Sequence, residues 1–164
     1  MSTQLESAAP VQATASKYLT VELDGESYGI EVLKVREIVR LQPITPVPQL
    51  PAFCRGVINL RGRVVPVTDL RRRFGLKDST TERTCIVVVR LQLKGRPSVA
   101  MGLVVDAVEE VVNVTAEDTE PTPDFGVAIE STYIRAMAKI KGKVKALLDI
   151  DRVFEAAREV SVTS

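Results

Sequence analysis

The sequence predicts an all-β protein: two small β-barrels packed around a shared hydrophobic core, joined by short helical turns. Three observations predict it. Apolar and polar side chains alternate in short runs. Gly, Asp and Pro turn signals bound those runs. The same order of elements then occurs twice along the chain.

Residues 1–16 hold almost no large apolar side chain, so the sequence predicts a flexible tail there. Tyr18 to Leu23 alternates apolar and polar residues, Asp24-Gly25 supplies a turn, and Ser27 to Val32 returns as a second strand. Leu33 to Leu41 changes period. Val35, Ile38 and Val39 stand at i, i+3 and i+4, which predicts a helical turn with one apolar stripe. Four prolines between Pro43 and Pro51 forbid a helix or a central strand and predict a stiff, extended connector.

Gly56 to Leu60 and Val64 to Leu70 predict a hairpin around Arg61-Gly62-Arg63. Gly62 is the residue free to take a positive φ, and Pro66 predicts an edge position or a bulge. A polar loop follows at Lys77 to Thr84. Cys85 to Leu93 and Ser98 to Val105 form the next strand pair, turning at Lys94-Gly95-Arg96-Pro97. Val108, Val111 and Val112 repeat the helical spacing, and Glu117 to Pro123 is a second connector. Ile134 to Ile140 and Val144 to Ile150 make the last hairpin around Lys141-Gly142-Lys143, with Gly142 as its turn residue. Asp151 then caps a short helix, and residues 156–164 are a C-terminal tail.

The repeat is visible at fixed offsets. A shift of 73 places Gly29 on Gly102, Val35 on Val108, Glu37 on Glu110 and Ile38 on Val111. A shift of 80 places Arg61 on Lys141, Gly62 on Gly142, Val64 on Val144, Asp69 on Asp149 and Phe74 on Phe154. These matches keep their order and include charged residues. They predict one domain over residues 17–155, with halves at about 18–76 and 85–155, each too small for comfortable stability alone. Strand exchange between the halves is an open alternative.

Composition narrows the function. The 164 residues carry a formal net charge of +1, which gives no general attraction to nucleic acid or membrane. The chain has no His, so the usual general base near neutral pH and the commonest metal ligand are missing. No phosphate-cradling glycine loop occurs. Cys54 and Cys85 form no metal-ligand pattern and read as small buried hydrophobes in a reducing compartment, a disulfide being left open. The carboxylate pairs Glu109-Glu110 and Glu117-Asp118 read as solvated faces. No enzyme, metal or cofactor site is expected. The N-terminus lacks the layout of a signal peptide, and no apolar run approaches the ~20 residues that span a bilayer, so a cytoplasmic location is expected.

Two basic clusters stand out: Arg61, Arg63, Arg71, Arg72 and Arg73, and Lys139, Lys141, Lys143 and Lys145. Each reads either as a solvated rim or as a contact for an acidic protein surface. Neither is interleaved with the aromatics that nucleic-acid stacking needs. Arg61 sits at a rigid hairpin tip, where a guanidinium suits a carboxylate on another protein. Among its neighbours, Val57, Ile58, Val64 and Val65 are continuously apolar and offer apolar contact area.

The stretch Glu26 to Val32, Lys34-Val35-Arg36-Glu37-Ile38, the NLRG run Asn59 to Gly62, and Val64-Val65-Pro66-Val67-Thr68-Asp69-Leu70-Arg71 together resemble the CheW-like domain family. Gly102 to Asp106 and Leu147 to Ile150 fit it as well, so the likeness covers about residues 17–155. The resemblance implies two SH3-like β-barrels around a shared core. It implies a non-catalytic adaptor of bacterial chemotaxis that links cytoplasmic chemoreceptor tips to the histidine kinase CheA. The kinase is engaged through its own CheW-like regulatory domain, and the assemblies form arrays at the membrane. By the same resemblance, Asn59 and Arg61 lie at the receptor surface, with Arg61 meeting a receptor carboxylate. Val35 and Val87 border the receptor groove, and Glu37 and Gly56 face the kinase. The chain lacks the receiver domain of the fused scaffold CheV and the catalytic domains of CheA, which favours a free-standing coupling protein. It is expected to be monomeric when free, without membrane insertion or nucleic acid. Its Lys-rich second hairpin departs from the family pattern. Coupling in a parallel pathway, for pili or a second messenger, is the alternative within this fold, and a basic barrel binding RNA or DNA is the alternative outside it.

Overall fold

The computed structural model describes residues 16–120 and 131–155. Of the expected tail at 1–16, Ser16 opens the first strand and the rest lies outside the described residues, as do the tail at 156–164 and the prolines of the second connector. Two sheets make up the rest. The six-stranded sheet has β1 (Ser16–Leu23), β2 (Glu26–Glu31), β8 (Ala107–Val114), β9 (Thr119–Glu120), β10 (Ile134–Ile140) and β11 (Lys143–Leu148), in the order β8-β1-β2-β11-β10-β9. The five-stranded sheet has β3 (Val35–Arg40), β4 (Cys54–Leu60), β5 (Arg63–Asp69), β6 (Cys85–Leu91) and β7 (Val99–Val105), in the order β3-β6-β7-β5-β4.

Each sheet rolls onto itself. In the six-stranded sheet, Val112 of β8 and Ala138 and Ile140 of β10 share one apolar cluster with Tyr18 and Leu147, although β8 and β10 lie near opposite ends of the strand order. In the five-stranded sheet, Ile58, Val65, Val67, Ile86, Val88 and Val104 form the equivalent cluster. A third cluster lies between the barrels and takes Leu19, Val21, Leu23, Ile30, Val87, Val89, Leu103, Val105 and Leu148. β6 shows the logic. Ile86 and Val88 point into their own barrel while Val87 and Val89 point into the shared core. A strand buried on both faces must be apolar at consecutive positions, which is why 85–91 reads as a continuous run rather than an alternation.

The repeat becomes geometry in the two parallel pairings. β11 runs parallel to β2, with Leu147 opposite Gly29, and β5 runs parallel to β7, with Val67 opposite Gly102. Offsets of 73 and 80 convert one pair into the other. The stretch 35–105 holds all five strands of the smaller sheet, while the larger takes strands from before and after it.

The two expected helical turns are strands. Val35–Arg40 and Ala107–Val114 are β3 and β8, flanked by 3-10 turns at Val32–Lys34 and Ala116–Asp118. The reason is an apolar residue on the outer face of each strand: Ile38 is 46% exposed and Val111 56%. Val35 and Val39 lie on the inner side of β3, and Val108 and Val112 are the less exposed valines of β8, so the apolar spacing of three and four imitates a helical stripe without sharing one face. Each strand also carries a bulge, with Arg36 extra in β3 and Glu109 extra in β8. Pro66 is not on an edge strand. It lies where β5 pairs only with β4, just before the pairing with β7 begins at Val67. The chain also turns one short helix not expected from sequence, α1 (Leu70–Arg73), whose N-cap Asp69 accepts from the Arg71 amide. The last helix begins at 150, and its cap is Asp149 rather than Asp151: Asp149 Oδ1 accepts from Arg152 N at 3.3 Å. Asp149 is the repeat partner of Asp69.

Candidate functional site

The β4–β5 hairpin closes through a two-residue turn. Arg61 has φ 51° and Gly62 φ 84°. Leu60 pairs with Arg63 on either side, so this is the type I′ geometry that matches strand twist. A left-handed φ at Arg61 carries a cost that the side chain of Asn59 helps to offset: its Oδ1 accepts from Gly62 N at 2.9 Å. Asn59 therefore holds the turn. The Arg61 side chain is 72% exposed, and its guanidinium donates to the carboxylate of Glu37 on β3. β3 and β4 are the two edges of the five-stranded sheet. A bridge between Thr45 and Val57 helps close the same seam, with hydrogen bonds of 2.8 and 2.9 Å.

The structure brings Arg61, Asn59 and Glu37 together and separates the other expected site residues from them. Val35 opens β3 and is half-buried against the shared core. Val87 is fully buried in that core, so its side chain cannot border an open groove. It sits opposite Ile38, which is 46% exposed and offers the apolar surface expected of Val87. Gly56 is buried as well, with φ 139°, and a Cβ there would stand 2.0 Å from the Thr45 carbonyl oxygen. It lets β4 approach the connector. Of the neighbouring valines and isoleucine, Ile58 and Val65 are core, whereas Val64 is 70% exposed beside the tip.

The second hairpin repeats the site. Lys141 (φ 52°) and Gly142 (φ 79°) form the same turn, and Lys141 reaches Glu110 at 3.1 Å, as Arg61 reaches Glu37. Val144 and Val111 are exposed where Val64 and Ile38 are. Lys145 departs from the solvated rim expected of it: it is buried, within 4 Å of both Glu109 and Glu110.

In the Arg71 to Arg73 run, Arg72 is exposed, but Arg71 and Arg73 are not part of a solvated rim. Arg71 is 1% exposed and forms a two-pronged pair with Asp69, both contacts at 2.9 Å, while Nη1 meets Asp106 at 2.6 Å. Burial works against its charge, yet the hydrogen bonds to Asp69 and Asp106 outweigh that cost and hold its pKa above the ordinary arginine value. Asp106 also accepts from Asp24 N in the β1–β2 turn at 2.6 Å, so the network ties the two barrels together. Arg73 stacks between Phe53 and Tyr133, 5.0 and 4.9 Å from their ring centres. Sequence reasoning missed these roles, though the offset of 80 carried the signal. Phe53 and Tyr133 correspond, and their carbonyls accept from Asp69 N and Asp149 N. The Arg55–Asp69 pair at 3.1 Å corresponds to Arg135–Asp149 at 3.7 Å.

The CheW-like domain model matches residues 17–158. The chain belongs to the CheW-like domain family. Two curated relatives are chemotaxis proteins CheW. That of Rhizobium meliloti (strain 1021) is 36% identical over 79% of this chain and 81% of its own length. That of Klebsiella aerogenes is 32% identical over 88% and 85%. Among solved structures, the scaffolding protein TtCheW of Thermoanaerobacter tengcongensis superposes with a TM-score of 0.74 at 33% identity, covering 85% of this chain and 88% of that one. As a CheW-family member, the chain is a chemotaxis coupling and scaffolding protein, not an enzyme, and its two-barrel fold is the family fold.

Both cysteines are free and half-buried. Burial pushes both thiols up from their ordinary value, so the thiolate that reacts is scarce at neutral pH. Native protein should react with a disulfide reagent at pH 7.5 many-fold more slowly than the urea-unfolded chain. Equal rates would show that the thiols are not protected.

Proposed function

We propose that this chain couples chemoreceptor cytoplasmic tips to the histidine kinase CheA, engaging the kinase through its CheW-like regulatory domain. The observation that carries the reading is the β4–β5 tip. An exposed Arg61 stands on a turn fixed by Gly62 and Asn59, joined to Glu37 across the barrel seam. A guanidinium held this way is pre-organised for a partner carboxylate and loses little freedom on binding. Val64 and Ile38 supply exposed apolar area beside it. On this reading Arg61 meets the receptor, Asn59 fixes its direction, and Glu37 and the seam held by Gly56 face the kinase. Among the described residues, no helix is long and apolar enough to cross a membrane. We place the chain in the cytoplasm, monomeric when free and recruited to receptor arrays at the membrane.

The test is reconstitution with purified receptor tips and kinase, measuring kinase output with and without the chain. Arg61→Glu should abolish most of the receptor-dependent gain in kinase output. Its stability should change by no more than about 1 kcal/mol, because the pair it breaks is largely exposed. Full coupling by this variant would refute the role of Arg61, and a wild-type chain without effect on output would refute the function.

A further inference from the structure

The charges of this nearly neutral chain are segregated between its barrels. Residues 35–105, which hold the five-stranded barrel, contain thirteen Lys and Arg against four Asp and Glu, a formal +9. The rest of the chain has nine against seventeen, a formal −8. Internal pairing uses part of the positive charge: Arg71, Arg55 and Arg72 are held by Asp69 and Asp78, and Arg83, 63% exposed, lies 3.3 Å from Glu22. It does not use the two arginines of β3. Along this strand Arg36, Ile38 and Arg40 are exposed while Val35, Glu37 and Val39 are half-buried. Neither Arg36 nor Arg40 has a carboxylate within ion-pair distance among the described residues. The strip continues from Arg40 into a cleft of about 540 Å³ that Arg40 shares with Arg83, Leu41, Cys85 and one carboxylate, Glu82. Its other end is the seam, where Glu37 holds Arg61.

We propose that the outer strip of β3, from Arg36 past Ile38 to Arg40 and Arg83, is a docking surface for an acidic protein segment that carries an apolar side chain at its centre. The four-residue step from Arg36 to Arg40 spans roughly 13 Å at strand rise, so the segment needs two carboxylates about that far apart. The charge of the barrel steers it in: a region of one sign raises encounter rates by about 10 to 10³ and does so less as salt rises. Nucleic acid fits less well, because Ile38 offers no stacking platform and, among the described residues, no aromatic lies on the strip. This surface rests on the adaptor reading for the identity of its partner, but its chemistry is independent of that reading.

The experiment measures association of the full chain with the purified kinase regulatory domain and with receptor tips, at low and high salt. Arg36→Glu/Arg40→Glu is compared with Lys94→Glu/Arg96→Glu, which removes the same charge from the same barrel at the exposed β6–β7 turn, past the end of the β3 pairing. The strip variant should slow association with one of the two partners at least tenfold at low salt, and the control variant should slow it far less. A second arm uses a synthetic peptide of alternating Glu and Leu, its Gln-for-Glu counterpart, and a single-stranded RNA of equal charge. The acidic peptide should bind the wild type at least tenfold more tightly than the Gln peptide, and the strip variant should lose that preference. If the strip and control variants behave alike, or if Glu and Gln peptides bind alike, the docking surface is wrong. If the RNA binds more tightly than the acidic peptide and the strip variant loses it, the partner class is wrong. Acidic-peptide binding lost in the strip variant, with neither chemotaxis partner bound by wild type, would sustain the surface and overturn the adaptor reading.

Discussion

Arg71→Met should destabilise the protein by about 3–5 kcal/mol, measured by urea unfolding at pH 7. Methionine keeps much of the arginine volume, so the loss isolates the charge. It leaves Asp69, which is fully buried, and Asp106, 18% exposed, without the guanidinium that neutralises them. Removing one partner of a buried pair costs this much because the remaining charge is stranded in a poor solvent. Arg55 still reaches Asp69 at 3.1 Å and is the reason the loss stops short of complete unfolding. The exposed pair Lys141–Glu110 gives the contrast: breaking it should cost less than about 1 kcal/mol. A loss below 1 kcal/mol for Arg71→Met would mean that the network only decorates the barrel junction.

Gly56→Ala is the second large effect, at about 3 kcal/mol or more. Two causes act together. Its φ of 139° is a conformation that side chains rarely adopt, and the new Cβ would lie 2.0 Å from the Thr45 oxygen and 2.9 Å from Pro46 Cα. Both obstacles are backbone, so no rotamer change relieves them. The chain must move β4 away from the connector, losing the bridge in which Thr45 and Val57 exchange hydrogen bonds. The amides of Thr45 and Val57 should then exchange with solvent far faster than in wild type, and unfolding should shift to lower urea. Unchanged exchange at those two amides would contradict the close approach assigned to Gly56.

The barrel count, the hairpins and their turn residues were legible because each leaves a local mark. Gly62 and Gly142 announce their turns, and the doubled pattern announces two lobes. The strands β3 and β8 were not legible as strands because Ile38 and Val111 are apolar yet exposed, which spoils the apolar-in, polar-out alternation that identifies one. Burial at the site was less legible still. Val87 and Val64 are the same residue type in similar apolar runs, yet one is enclosed and the other open, because β6 lies between two cores while β5 begins at a tip. Arg71 and Arg72 are neighbours of one kind, and what separates a buried arginine from a solvated one is the two-pronged pair with Asp69 together with Asp106, brought in from a distant turn. The matches at Phe53 and Tyr133, and at Arg55 and Arg135, were present in the sequence and depend on knowing that Asp69 and Asp149 cap helices.

The order of strands also sets the order of events during synthesis. β1 and β2 leave the ribosome first, but β8 and β11, their neighbours in the sheet, leave late. The stretch 35–105 meets all its sheet partners as it emerges, although the face of β6 bearing Val87 and Val89 waits for Leu19, Val21 and Ile30 to dock. The leading hairpin thus waits as a two-stranded ribbon with Leu19, Val21, Leu23 and Ile30 uncovered until β6 and β7 are made, a form that is marginal in water and prone to association. β8 then relieves the edge of β1 and, last of all, β11 the edge of β2, so a chain truncated before Lys143 would leave β2 without its final neighbour.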